Sequence, residues 1–184
     1  MVYTYKEILK KYKDDYNIRK ALKNGQLYKI EKGIYADRKY ANPLIIYSKK
    51  YKNAVITMDN AFYYYNLTDV IPSKIYLDTP NNARAIKNEK IIQLFSNEKL
   101  LNIGKDIVNV ENQEVPMYDK ERMLIELIRK RKKIPFDYYK ELIASYREIS
   151  DDLDMYKIEN YLSFFKKDVN LFDVMLREVF LYQL

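Results

Sequence analysis

Residues 14–35 read Asp14-Asp15-Tyr16-Asn17-Ile18-Arg19-Lys20-Ala21-Leu22-Lys23-Asn24-Gly25-Gln26-Leu27-Tyr28-Lys29-Ile30-Glu31-Lys32-Gly33-Ile34-Tyr35. The two aspartates supply an N-cap. Ile18, Ala21 and Leu22 then recur on one helical face, while Asn17, Arg19, Lys20, Lys23 and Asn24 face outward. Asn24-Gly25 ends the helix, because glycine suits the left-handed position that follows a helix C-terminus. Leu27-Tyr28-Lys29-Ile30-Glu31 predicts a strand, Lys32-Gly33 a turn, and Ile34-Tyr35-Ala36 the returning strand.

Upstream, Thr4 with Glu7 three residues on forms a capping box. Tyr5, Ile8, Leu9 and Tyr12 follow the i, i+3, i+4, i+7 rule, with Lys6, Lys10, Lys11 and Lys13 off that stripe. The order is helix, helix, short basic hairpin, that of a compact winged helix-turn-helix. Its usual leading helix is missing. The best donor is the stretch after Asn42-Pro43, where proline suits a first helical turn and Leu44, Ile45 and Tyr47 are apolar.

Charge separates this end from the rest. Residues 1–50 carry 13 Lys and Arg against 5 Asp and Glu; residues 51–184 carry 20 against 21. A basic module on a near-neutral body points to a polyanion as the partner of the small end, and nucleic acid rewards Lys and Arg irrespective of sequence. On a helix-turn-helix the second helix enters the major groove. Arg19 is placed to read guanine edges and Asn17 adenine, with Lys20 beside them. Lys23 and the wing residues Lys29 and Lys32 would hold phosphates. Asp14 and Asp15 oppose phosphate and serve as the cap. The alternative is a small helical subdomain with a solvated lysine face.

Composition narrows the chemistry. With 48% hydrophobic and 32% charged residues in 184, the chain folds rather than staying disordered. It has no Cys and no His, which excludes disulfides, thiol chemistry, His-based triads and Cys/His zinc sites. No apolar run approaches the roughly 20 residues of a membrane span, and the first residues lack a signal core. A cytoplasmic, membrane-free protein is expected.

The body, residues 51–184, reads as strands first and helices last, an α+β pattern. Extended segments are expected at 55–57, 74–78, 90–95, 106–110 and 114–118, with a helix at 58–66. Asp119 caps a helix carrying Met123, Leu124, Leu127 and Ile128, and three further helices follow. The cations Arg129-Lys130-Arg131-Lys132-Lys133 end a helix, where the macrodipole favours them; a second anion patch is the alternative. Phe62-Tyr63-Tyr64-Tyr65 reads as a core helix with one or two exposed rings. Asp151, Asp152 and Asp154 precede an apolar-periodic helix, where acids act as caps. The carboxylates Asp78 and Glu89 do not match nuclease spacing, and no glycine-rich phosphate loop exists among Gly25, Gly33 and Gly104. The chain reads as non-enzymatic, with no cofactor and no metal.

Leu22 to Tyr35 resembles the helix–wing signature of the AbiEi family of antitoxins, in which a glycine ends the reading helix and Gly-x-Tyr closes the wing. Two further stretches share the likeness. One is Ala54-Val55-Ile56-Thr57, Ala61, Tyr65-x-Leu67-Thr68 and Ile71-Pro72. The other is Tyr118-Asp119-Lys120-Glu121-Arg122 with Leu124 and Leu127. Together they run over residues 4–128. The resemblance implies a bacterial type IV toxin–antitoxin component linked to abortive infection and phage defence. It implies a winged helix-turn-helix over residues 1–50 that represses its own operon at inverted repeats. It also implies an effector domain over 51–184 that counters a nucleotidyltransferase-like toxin, without a stable complex being required. Other readings of the residues are a transcriptional regulator without antitoxin role, or a protein-interaction module whose basic end binds an acidic partner.

Overall fold

A computed structural model describes residues 1–165 and 170–181. The fold is mixed α and β with a helical C-terminal part. It divides into two compact units, residues 1–54 with 107–116, and residues 55–106 with 117–184. The first unit thus runs four residues past the boundary expected at residue 50 and takes in a segment from the middle of the chain.

The first unit opens with a strand absent from the sequence reading, β1 (Val2–Thr4), followed by α1 (Tyr5–Tyr12) and α2 (Asp15–Lys23). The hairpin β2 (Tyr28–Glu31) and β3 (Ile34–Ala36) comes next, then α3 (Pro43–Lys50). β1 pairs with β3 antiparallel, so the sheet has three strands in the order β1-β3-β2. Val2 is held further by Gln113, which accepts from its N–H at 2.6 Å and donates to its carbonyl at 2.8 Å. That amide explains why 107–116 joins this unit. The Thr4–Glu7 capping box is formed. Asn42 caps α3 by accepting from the Leu44 N–H, with Pro43 in the first turn. Ile8, Ile18, Ala21, Leu27 and Tyr35 make the core, with Tyr3, Tyr12 and Leu22 against it. Burial of each of the large aliphatic side chains contributes about 1.5–3 kcal/mol.

The second unit contains β4 (Val55–Ile56), α4 (Asp59–Tyr64), β5 (Ile75–Pro80), β6 (Ile91–Ser96) and α5 (Glu98–Asn102). Next in the chain come β7 (Lys105–Val110) and β8 (Gln113–Tyr118), of which residues 107–116 belong to the first unit; they are joined at Glu111-Asn112, both at positive φ as a type I′ turn requires. Among the described residues four α-helices follow: α6 (Lys120–Lys130), α7 (Phe136–Glu148), α8 (Met155–Leu162) and α9 (Leu171–Met175), with a π-helical turn at Leu176–Phe180. The sheet order is β6-β5-β4-β8-β7, with β5–β6 and β4–β8 parallel and β4–β5 antiparallel. Among the described residues no helix is long and apolar enough to cross a membrane.

α6 departs from its amphipathic pattern. All eight residues 121–128 are buried, among them Glu121, Arg122 and Glu126. The Arg122 guanidinium donates to Glu126 at 2.8 Å and to the carbonyls of Leu100 and Ile103 at 2.8 and 3.1 Å. It also stacks on the rings of Tyr118 and Phe165. The two carbonyls lie at the C-terminal end of α5, where the Leu100 carbonyl also accepts from the Ile103 N–H at 3.3 Å. Gly104, at φ +67°, makes room: a Cβ there would sit 2.4 Å from the Cβ of Arg122. Asp119 caps α6 through the Arg122 N–H and accepts from the Tyr161 hydroxyl at 2.8 Å.

Glu126 also receives Arg129 at 2.8 Å and Lys130 at 2.5 Å. Arg131 donates to the Ile128 carbonyl. Three of the five cations in the 129–133 run are therefore committed to the end of α6, and Lys132 and Lys133 stay exposed. Asp154 caps α8 by accepting from the Lys157 N–H. Phe62 is buried in α4 and Tyr63 is exposed.

Burial pushes the Glu126 carboxyl up, but Lys130, Arg122 and Arg129 outweigh it and hold it at about 2, below the ordinary 4.5. A depressed carboxyl stabilises the fold above its unfolded value, and that stability goes as pH falls through the folded value. Wild-type urea midpoints should therefore drop between pH 4.5 and 2. Glu126→Gln should cost about 3–5 kcal/mol at pH 7 by stranding buried Arg122, and should flatten that acid limb.

Candidate nucleic-acid interface

α2 is positioned by both its ends and its inner face. Asp14 accepts from the Asn17 N–H at 2.8 Å. At the other end Gln26 N–H returns to the Ala21 carbonyl at 3.0 Å across Gly25, which sits at φ +70°. Such a closure satisfies carbonyls that the helix leaves open. Ile18 and Ala21 anchor the helix in the core. Between α1 and α2 the backbone turns at Lys13, at φ +73°, whose N–H returns to the Leu9 carbonyl.

With that face buried, Arg19, Lys20 and Lys23 are exposed on the opposite one, as is Tyr16 at 73%. Asn17 differs from its expected role. It is half-buried, and its side-chain amide donates to Asp14 at 3.0 Å, so both its donors serve the cap of α2. Asp15 accepts from the Tyr5 hydroxyl at 2.7 Å, which ties the acid back to α1. That hydrogen bond is the largest cause raising the Tyr5 hydroxyl above its ordinary value.

The hairpin brings Lys29 and Lys32 out as exposed side chains, Lys29 opposite Tyr35 in register. A register shift between Lys29 and Glu31 distorts the strand there. Glu31 pairs with Lys50 of α3, so the acid of the hairpin is neutralised from within the unit. The Gly33 carbonyl accepts from the Tyr5 N–H at 2.9 Å and fixes the hairpin to the start of α1.

Three cations of the unit pair with its acids. Lys49 pairs with Glu7 at 2.7 Å, Lys50 with Glu31, and Arg38 with Glu111. Among the described residues Arg19, Lys20, Lys23, Lys29 and Lys32 make no ion pair with any acid. By composition the first unit holds 14 Lys and Arg against 7 Asp and Glu, and the second holds 19 against 19. All the net charge of +7 thus belongs to the first unit. Of the six residues expected at the interface, five share the exposed surfaces of α2 and the hairpin, and Asn17 does not. Tyr16 was missed. Its spacing of three, four and seven from Arg19, Lys20 and Lys23 marks the outward face, but a tyrosine in a basic helix reads first as core.

Among the described residues no cluster of three or more His, Cys, Asp or Glu could hold a metal ion. No protein-family model and no curated protein matches the chain. Among solved structures the chain is similar to the crystal structure of the RV2827C protein from Mycobacterium tuberculosis, with a TM-score of 0.60 and 14% sequence identity. The match covers 89% of this chain and 66% of that one, so the chain spans slightly less than two-thirds of its length. At that identity the likeness is one of fold.

Removing the α2 cap should loosen the helix without touching its outward cations. Asp14→Ala is expected to cost about 1 kcal/mol, read as a lowered urea midpoint. Asn17→Ala should act in the same direction through the same cap.

Proposed function

We propose that residues 1–54 with 107–116 form a winged helix-turn-helix that binds operator DNA, and that the chain is an AbiEi-type antitoxin repressing its own operon. The observation that carries the DNA-binding part is the concentration of the net charge of +7 in this unit, with five exposed cations on α2 and the hairpin that make no ion pair among the described residues. Arg38, Lys49 and Lys50 are met by acids, whereas these five are not, nor are Lys6, Lys10, Lys11 and Lys13 beside them. Asp14 and Asp15 are exposed at the start of α2, where their carboxylates accept from Asn17 and Tyr5 and are held at the cap. α2 is the reading helix in this proposal, with Arg19 and Lys20 reaching base edges in the major groove. Lys23, Lys29 and Lys32 hold phosphates, which sets orientation without reading sequence. Tyr16 adds a hydroxyl and a ring at the groove edge. α3 takes the place of the missing leading helix by supporting β1 and β3.

The antitoxin part rests on the resemblance of residues 4–128 to that family. In this reading the neutral second unit opposes a nucleotidyltransferase-like toxin, acts in the bacterial cytoplasm and performs no catalysis itself.

Arg19→Ala and Lys20→Ala should each weaken binding to an inverted repeat upstream of the gene by about 5- to 150-fold, as for loss of one base contact. Circular dichroism should stay unchanged, because both side chains are exposed. Binding at wild-type affinity by both variants would remove α2 from the reading role. With three phosphate-holding cations, log K should fall against log salt with a slope of about −2.7. A variant lacking both Arg19 and Lys20, expressed from a foreign promoter, should still protect cells from the cognate toxin. Loss of protection in that variant would contradict the division of labour.

A further inference from the structure

The second unit contains a cavity of about 640 Å³ that the DNA-binding proposal leaves unused. That volume lies within the range of small-molecule sites. Its apolar walls come from Met58, Val70, Leu94, Ile134 and Pro135. Tyr76, Tyr138 and Asp59 add polar groups.

Three features mark this cavity. The Tyr138 hydroxyl is buried and makes no hydrogen bond; the Thr68 hydroxyl near it donates to Glu141 at 2.7 Å instead. A buried hydroxyl without a partner is costly, and a ligand that pairs with it recovers that cost. Met58 sits at φ +50° and ψ −134°, a region almost reserved for glycine, directly before α4. Asp59, the next residue, carries a carboxyl that burial pushes above its ordinary value despite the Tyr76 hydroxyl beside it. Burial, and after it the charge of Asp59, likewise raise the Tyr138 hydroxyl.

Charge decides what the cavity accepts. The acids lining it are Asp59, Asp137 and Glu141, and the cations are Lys130 and Lys133. Lys130 is already paired with Glu126 at 2.5 Å. Lys133 is exposed to solvent. A bound anion would meet three carboxylates and one solvated lysine. A bound cation would meet the partly buried Asp59 carboxylate, with Tyr76 and Tyr138 also lining the cavity.

We propose that this cavity binds a small organic amine: its ammonium pairs with Asp59 and donates to the Tyr138 hydroxyl oxygen, and its apolar body lies among Val70, Leu94 and Ile134. The site is independent of the DNA-reading surface, and its test does not involve DNA.

The full chain should be titrated by calorimetry with phenethylamine, 2-phenylethanol and phenylacetate, which share an apolar body and differ in charge. Phenethylamine is expected to bind saturably at one site and about tenfold tighter than 2-phenylethanol, one charge-assisted contact being at stake. Phenylacetate should not bind. Asp59→Asn should remove the preference for the amine, and Tyr138→Phe should weaken amine binding about three- to tenfold. Both are near-isosteric, and the three-ligand comparison on wild type stands even if a variant misfolds. Absent amine binding, phenylacetate binding as tightly as the amine, or a folded Asp59→Asn variant that keeps its preference would each overturn the proposal.

Discussion

The buried Arg122–Glu126 pair is the contact on which the second unit depends. An arginine taken out of water costs several kcal/mol unless all its donors are satisfied and its charge is matched. Arg122 meets that requirement through one carboxylate, two carbonyls at the end of α5 and two aromatic rings. Each partner comes from a different part of the unit, so the pair joins α5, the end of β8, α6 and the segment reaching Phe165. Glu126 stays ionised in this setting because two further cations reach it from the last turn of α6. The glycine at 104 is a condition of the arrangement, since its backbone lies where any side chain would meet Arg122.

The stretch Tyr118-Asp119-Lys120-Glu121-Arg122 gains a physical meaning from this. Tyr118 donates to buried Asp78 at 2.6 Å, Asp119 caps α6 and accepts from Tyr161, and Glu121 accepts from the Asp154 N–H. Arg122 completes the set. In this chain the motif is a structural hub, and its polar residues are spent on folding. Residues that could contact a partner lie elsewhere.

In the first unit cations outnumber acids by two to one. The acids Glu7, Glu31 and Glu111 pair with Lys49, Lys50 and Arg38, while α2 and the hairpin expose cations that make no ion pair among the described residues. Rigid support makes such a surface useful: Ile18, Ala21 and Leu27 hold the elements, and both ends of α2 are closed. A cation on a fixed helix loses less freedom on meeting a phosphate than one on a loose segment.

Much of this architecture is local and so was legible from the chain. The Thr4–Glu7 box, the Asp14 and Asp119 caps, the Gly25 stop and the Pro43 start depend on residues within about four positions of one another. The concentration of positive charge near the amino terminus needs no coordinates either. Two features depend on residues far apart, and a third on a local contact that the polar pattern alone does not reveal. β1 is three residues long and exists because β3 lies beside it. Asn17 reads as an outward polar group until its amide is seen on Asp14, and the burial of Glu121, Arg122 and Glu126 contradicts any amphipathic template. Periodicity and caps are properties of a backbone and its nearest neighbours, and these the amino-acid order determined alone. Which cations stay unpaired, which charges are buried and where a cavity opens depend on partners up to about a hundred residues away, and tertiary packing decided them.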